Sequence, residues 1–155
     1  MKKIAVFPGS FDPYTKGHEN VISRSLDLFD KIVIAIGSHS QKSNFFSLEK
    51  RLAMISDLYQ NEPRVEVDHY DGLTIDYCET IGAGYLLRGL RTSADFEYER
   101  AIAQVNRKMN SKVETVFLLT VPELTPVNSS IVREILRHNG DVTQFLPDGM
   151  DLNKY

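Results

Sequence analysis

Residues 7–18 read FPGSFDPYTKGH, a loop with two glycines and two prolines that ends on a histidine. Its residue types suit an anion. Gly9 and Gly17 let the backbone come close to a ligand, and Pro13 stiffens the turn. A helix starting near Gly17 directs unpaired N–H groups and a partial positive charge back at the loop. His18 falls in the first turn of that helix, where its ring can stand beside a phosphate and donate a hydrogen bond. The same residues also fit a plain bend in which the glycines serve only the turn and His18 is a partly exposed helix start. Other segments add groups of the kind that hold phosphates: Lys42, then RGLR with Arg88 and Arg91 around Gly89, then Thr125, Asn128, Ser129 and Ser130 where a further helix opens. A buried phosphate needs charge-assisted hydrogen bonds, so the joint placement of these groups decides between the two readings.

Placement follows from the elements. Periodicity predicts strands at 3–7, 31–37, 64–70, 85–87 and 113–119. Between them it predicts helices over 17–29, 47–60 with Ser47 as N-cap, 73–81, and a long helix striped by Tyr98, Ile102, Val105 and Met109. A last helix over 129–138 stops at Gly140. Buried strands alternating with helices imply a parallel sheet covered on both faces, hence an α/β doubly wound, Rossmann-like sheet in one domain spanning 1–155. Ligands of such sheets sit beyond the carboxyl ends of the strands, where the strand order reverses. The loops after Phe7, Ile36, Tyr70, Leu87 and Leu119 are therefore the ones to carry chemistry, and all but the third hold the groups named above.

Several chemistries are excluded. No GxxxxGK[ST] is present, and the only GxG, Gly82 to Gly84, precedes a strand instead of opening a helix. HExxH is absent, and His18, His39, His69 and His138 with the single Cys78 give no zinc spacing. No protein-built metal site is expected; a divalent ion would be Mg²⁺ held mainly by substrate phosphates and water. A formal charge of −3 gives no reason to expect a nucleic-acid partner. Arg100, Arg107, Lys108 and Lys112 are interleaved with glutamates on the long helix, which reads as a solvated face. The apolar run after Lys3 is too short for a signal peptide and no stretch reaches membrane-span length, so a cytoplasmic location is expected.

TKGH (15–18) and NSSIVRE (128–134) resemble the two signatures of the nucleotidyltransferase superfamily. PGSFDPYTKGH together with RGLRTSADFEYE (88–99) and GDVTQFLP near the C-terminus resembles, more specifically, the bacterial phosphopantetheine adenylyltransferase family along nearly the whole chain. The resemblance implies transfer of the adenylyl group of ATP to 4′-phosphopantetheine, giving dephospho-coenzyme A and pyrophosphate. It implies catalytic roles for His18 as transition-state stabiliser, Lys42 and Arg91. Ser10, Lys42, Thr74 and Arg88 would bind the acceptor. Ser10, Phe11, His18, Gly89, Leu90, Arg91, Glu99 and the run Leu124, Thr125, Pro126, Val127, Asn128, Ser129 and Ser130 would surround ATP. It further implies Mg²⁺, a hexamer and feedback binding of coenzyme A. This chain has Ser10 where the family commonly has threonine, Leu124 where an aromatic is frequent, and Asn128 in place of a serine. The alternatives are another small-molecule nucleotidyltransferase, of the nicotinate mononucleotide or glycerol phosphate type, and a nucleotide-binding module without turnover.

Overall fold

A computed structural model describes residues 1–38 and 43–155. Lys42 and His39 lie outside the described residues. Five strands, β1 (Ile4–Gly9), β2 (Lys31–Gly37), β3 (Val65–Tyr70), β4 (Tyr85–Leu90) and β5 (Glu114–Leu119), form one sheet in the order β3-β2-β1-β4-β5. Every pairing is parallel. The helices are α1 (Lys16–Ser25), α2 (Leu48–Leu58), α3 (Thr74–Ile81), α4 (Ser93–Met109) and α5 (Ser129–Arg137).

Alternate residues of the central strands feed two cores, because successive side chains of a strand point to opposite faces. Ala5, Phe7, Ile32, Ile34, Ile36 and Leu87 join Val21 and Ile22 of α1 and Ile55 of α2. Val6, Val33, Ala35 and Leu86 join Ile75 and Cys78 of α3. Both faces of β1 and β2 are thus dry, which is why KIVIAIG shows no polar alternation. Burial pushes the Cys78 thiol up to about 12, so it stays a protonated core residue.

The chain starts in the middle of the sheet, builds β2 and β3 to one side, then returns to build β4 and β5 on the other. The strand order therefore reverses between β1 and β4. There the sheet also opens. The β1–β2 ladder runs as far as Gly9 opposite Ile36, and β4–β5 as far as Leu90 opposite Leu119, whereas β1–β4 pairs only Ala5 with Tyr85 and Val6 with Leu86. Pro8 has no N–H to give a ladder, and its carbonyl accepts from the Arg88 side chain, Nη1, at 2.8 Å.

Four expected elements shift, the first being α1, which ends at Ser25, four residues short of Phe29. β4 runs on to Leu90, so Arg88 and Gly89 are strand residues; a Cβ at Gly89 would stand 3.0 Å from Val21 Cγ2, and this close helix approach explains a glycine inside a strand. α4 begins at Ser93, five residues before its apolar stripe, because Thr92 caps it by accepting the Asp95 N–H. That stripe is not core: Tyr98 is 70% and Val105 56% exposed, and no α4 residue is buried. α5 ends at Arg137, and the left-handed residue that stops it is Asn139, at φ 56°, rather than Gly140. Ser47 caps α2 as expected, its hydroxyl accepting the Lys50 N–H at 3.3 Å.

Candidate active site

The loop from Gly9 to Thr15 is held from outside by side chains of distant elements. Arg51 Nη1 donates to the Ser10 carbonyl at 2.7 Å, Arg133 Nη1 to the Asp12 carbonyl at 2.8 Å and Ser129 Oγ to the Pro13 carbonyl at 2.7 Å. With Arg88 on Pro8, four carbonyls of this stretch are spent on partners in β4, α2 and α5. Their negative ends are thus neutralised, which favours an anion beside the loop. A Cβ on Gly9 would stand 3.0 Å from the Phe11 ring, and Phe11 itself sits at φ 48° with its ring buried. The tight bend therefore needs a glycine at 9 and strains the backbone at 11.

His18 is fixed as part of the cap of α1. The Thr15 N–H donates to its Nδ1 at 3.0 Å, and Thr15 Oγ1 lies 3.2 Å from the same atom. A nitrogen that accepts an N–H bears no proton, so the proton of the neutral ring is on Nε2. Phe11 meets the ring edge-on, with centroids 4.9 Å apart, and Tyr14 lies 5.2 Å away. Burial, with the Arg88 and Arg91 guanidiniums adding to it, lowers the His18 pKa to about 4. Near neutral pH the ring is an uncharged donor.

Two hollows meet at this point, sharing Pro8, Gly9 and Arg88. The first, of about 370 Å³, is lined by Ser10 and Thr74 and by Tyr98, Glu99, Ile102 and Asn106 of α4. The second, of about 210 Å³, is lined by His18, Phe11, Gly89, Arg91, Asn128 and Ser129, together with Val127. The wall between them carries Arg88. Its Nε and Nη2 donate to the two carboxylate oxygens of Glu99 at 2.9 and 2.5 Å, a bidentate pair that holds the guanidinium flat and oriented. Arg91 is steered by Asp95, which accepts its backbone N–H at 3.1 Å and lies 3.4 Å from its Nε. Asn128 caps α5 by accepting the Ile131 N–H, so the helix start faces the second hollow with Ser129 beside it.

Of the residues expected from sequence, His18, Ser10, Phe11, Thr74, Arg88, Gly89, Arg91, Glu99, Val127, Asn128 and Ser129 line one or both hollows. Glu99 lies on the first hollow rather than the second. Leu90 is buried in the sheet, and Leu124 lines a separate shallow hollow with Lys16 and Glu19. Thr125, Pro126 and Ser130 line neither of the two; Ser130 Oγ accepts from Arg133 at 3.1 Å. Tyr98, Ile102 and Asn106 were not expected there. Their i, i+4, i+8 spacing was visible, but it reads equally well as the buried stripe of a core helix. Thr120, which lines the second hollow, and Arg51 carried no signal in the sequence. Among the described residues no group of three or more His, Cys, Asp or Glu side chains is placed to hold a metal ion.

Comparison with known proteins agrees with this geometry. The model of the cytidylyltransferase-like family matches residues 6–135. The phosphopantetheine adenylyltransferase of Flavobacterium johnsoniae is 52% identical over 154 residues, covering 99% of this chain and 100% of the relative. That of Bacteroides thetaiotaomicron is 50% identical over 153 residues, with 99% and 100% covered. Among solved structures, a bifunctional NMN adenylyltransferase/ADP ribose pyrophosphatase from Francisella tularensis superposes with a TM-score of 0.72 at 18% identity, over 94% of this chain and 45% of that longer one; it supports the fold alone.

Proposed function

The chain belongs to the phosphopantetheine adenylyltransferase family, within the cytidylyltransferase-like domains, and from that premise we propose how its two hollows carry out adenylyl transfer. ATP occupies the second hollow and 4′-phosphopantetheine the first, with the acceptor phosphate and the α-phosphate brought together beside Gly9, Ser10 and Arg88. An oxygen of the acceptor phosphate attacks the α-phosphorus in line, the bond from that phosphorus to the bridging oxygen breaks, and pyrophosphate leaves; dephospho-coenzyme A is the other product. The acceptor oxygen is already ionised near neutral pH, so no general base or covalent nucleophile is required.

The single observation that carries this reading is the junction: a neutral His18 and two cations, Arg88 and Arg91, border a hollow that joins a second hollow across Gly9. His18 Nε2–H donates to the α-phosphate as charge builds on its equatorial oxygens, Arg91 balances the polyphosphate, and Ser10 bonds phosphate where the substrates meet. Lys42 is assigned the same electrostatic role on sequence grounds. Thr74, Tyr98 and Asn106 contact the pantetheine arm, and the backbone about Val127 to Ser129 contacts the nucleotide. Arg88, already gripping Glu99, offers its outer edge to the acceptor phosphate. Mg²⁺, when bound, would supply neutralisation of charge on the leaving pyrophosphate. Among the described residues the second hollow is lined by two guanidiniums, an imidazole, hydroxyls, an amide and apolar side chains, with no carboxylate, which fits an ion that arrives on ATP with its water rather than one caged by the protein.

Three further readings belong to the proposal. The apolar stripe of α4 lies open to water in the single chain, with Tyr98, Ile102, Val105 and Met109 all exposed, and supports assembly through that helix into the family's hexamer. Coenzyme A shares both halves of the product and binds the same two hollows as a feedback ligand. The reaction places the enzyme in the cytoplasm, and among the described residues no helix is long and apolar enough to cross a membrane.

The test is an acceptor panel read by mass spectrometry and pyrophosphate release, with ATP or CTP offered against phosphopantetheine, nicotinate mononucleotide and glycerol phosphate. The expected result is pyrophosphate only from ATP with phosphopantetheine. Turnover of another acceptor alone refutes the substrate assignment, and ATP binding without pyrophosphate makes the chain a binding module.

A further inference from the structure

Arg51, on α2, is 2% exposed although it carries a guanidinium. A cation so placed is costly unless acceptors surround it. Its Nε donates to the Phe46 carbonyl at 3.0 Å and the Ser47 carbonyl at 3.3 Å, and its Nη1 donates to the Ser10 carbonyl at 2.7 Å. Burial pulls this guanidinium below its ordinary pKa, and the carboxylates of Asp12 and Glu49 oppose that pull. Asp12 makes the reciprocal link. Its two carboxylate oxygens accept the N–H groups of Phe45 at 2.7 Å and Phe46 at 2.8 Å. Residues 10–12 and 45–47 are therefore clasped in both directions, by a carboxylate reaching one way and a guanidinium reaching the other.

The clasp acts on a particular peptide. The Ser10 carbonyl belongs to the plane that joins Ser10 to Phe11, and Phe11 sits at φ 48°, a conformation that side-chain-bearing residues adopt only under restraint. Ser10 is exposed into the first hollow, next to Gly9 where the two hollows join. Nothing in its own short side chain can fix that plane. The bond from Arg51 can.

We propose that Arg51 is a positioning residue for the transfer reaction: by gripping the Ser10 carbonyl it sets the Ser10–Phe11 peptide plane, and with it the place of Ser10 Oγ between the two substrates. This rests on the reading of Ser10 as a phosphate-binding group. The role needs a fork. A lysine at 51 would bring one compact charge to one carbonyl and could not span the acceptors at 10, 46 and 47 together.

The test is a double-mutant cycle with Ser10→Ala, Arg51→Lys and the pair, measuring kcat, the KM values of ATP and phosphopantetheine, and melting temperature. Arg51→Lys is expected to lower kcat by about 10- to 10²-fold, the scale of a misplaced reacting group, with the KM of ATP moved less than about threefold. In the Arg51→Lys background Ser10→Ala should cost a factor at least about fivefold smaller than in wild type, because the serine is already out of place. Factors that multiply overturn the assignment, as does a lowered melting temperature with kcat unchanged. If Arg51→Lys does not fold, Arg51→Gln, which drops the charge and keeps amide donors, carries the same cycle. If neither variant melts cooperatively, Arg51 serves the fold and the proposal fails. Wild-type enzyme that releases no pyrophosphate refutes the reading of the activity, whereas multiplying losses in an active wild type refute only the role of Arg51.

Discussion

The neutral state of His18 makes a prediction about stability that does not depend on turnover. In the folded chain its pKa is lowered from 6.5 to about 4, while in the unfolded chain it returns to about 6.5. Between those values the unfolded state binds a proton that the folded state does not. Stability therefore rises with pH through this window, is complete above about pH 6.5, and is lost as pH falls toward 4. A span of about 2.5 units at about 1.36 kcal/mol each sets a ceiling of about 3.4 kcal/mol; since part of the ring faces the open hollow, about 2 kcal/mol is the expected size. The perturbation is His18→Gln, chosen because a glutamine at the third helical position can still accept the N–H of the capping threonine. Urea unfolding of wild type and variant, at one protein concentration and at pH 7, 6, 5 and 4.5, gives the difference free of the other titrating groups. The variant should gain on wild type by about 2 kcal/mol from pH 7 to pH 4.5, or about 4 to 8 °C in melting temperature at this chain length. Parallel curves for the two proteins across that range would refute the account of a half-buried, uncharged imidazole. An NMR titration in which the His18 ring protonates near pH 6.5 would do the same.

Removing the ring altogether, in His18→Ala, should lower kcat by roughly 10² to 10³ with a much smaller change in ATP affinity, since one donor to the transition state is lost; equal losses in both would mark His18 as a binding group. Gly9→Ala places a methyl 3.0 Å from the Phe11 ring, so the loop must shift and kcat/KM should drop by about tenfold or more while the melting temperature falls only a few degrees; unchanged kinetics would show that the loop has slack. Val105→Asp puts a charge on the exposed stripe of α4 and should reduce the apparent size in gel filtration to that of one chain, with the circular dichroism spectrum kept; an unaltered elution volume would remove α4 from the assembly contact.

The sheet was legible because its central strands are dry on both faces, so KIAVF and KIVIAIG carry an unbroken apolar signal. The loop at 7–18 was legible because glycine, proline and histidine have few other reasons to crowd together. What was hidden depended on distance in the chain. Arg51 lies 41 residues beyond the Ser10 carbonyl that it grips, and in the sequence it looks no different from the adjacent helical cation Lys50. The α4 stripe was visible but not what covers it, since periodicity records that a helix has an apolar face and reads the same for a core and for an interface. Arg88 and Gly89 were placed after their strand because an arginine and a glycine weaken the strand pattern.

The early parting of β1 from β4 has a cost that falls on one side chain. Past Val6 and Leu86 the two strands no longer mend each other's backbone, and the guanidinium of Arg88 steps into the breach, tied at once to Pro8 and to Glu99 of α4. Position 88 is therefore a rivet: a change there loosens the seam of the sheet, whatever the side chain does in the first hollow, whose α4 wall is formed by Tyr98, Ile102 and Asn106.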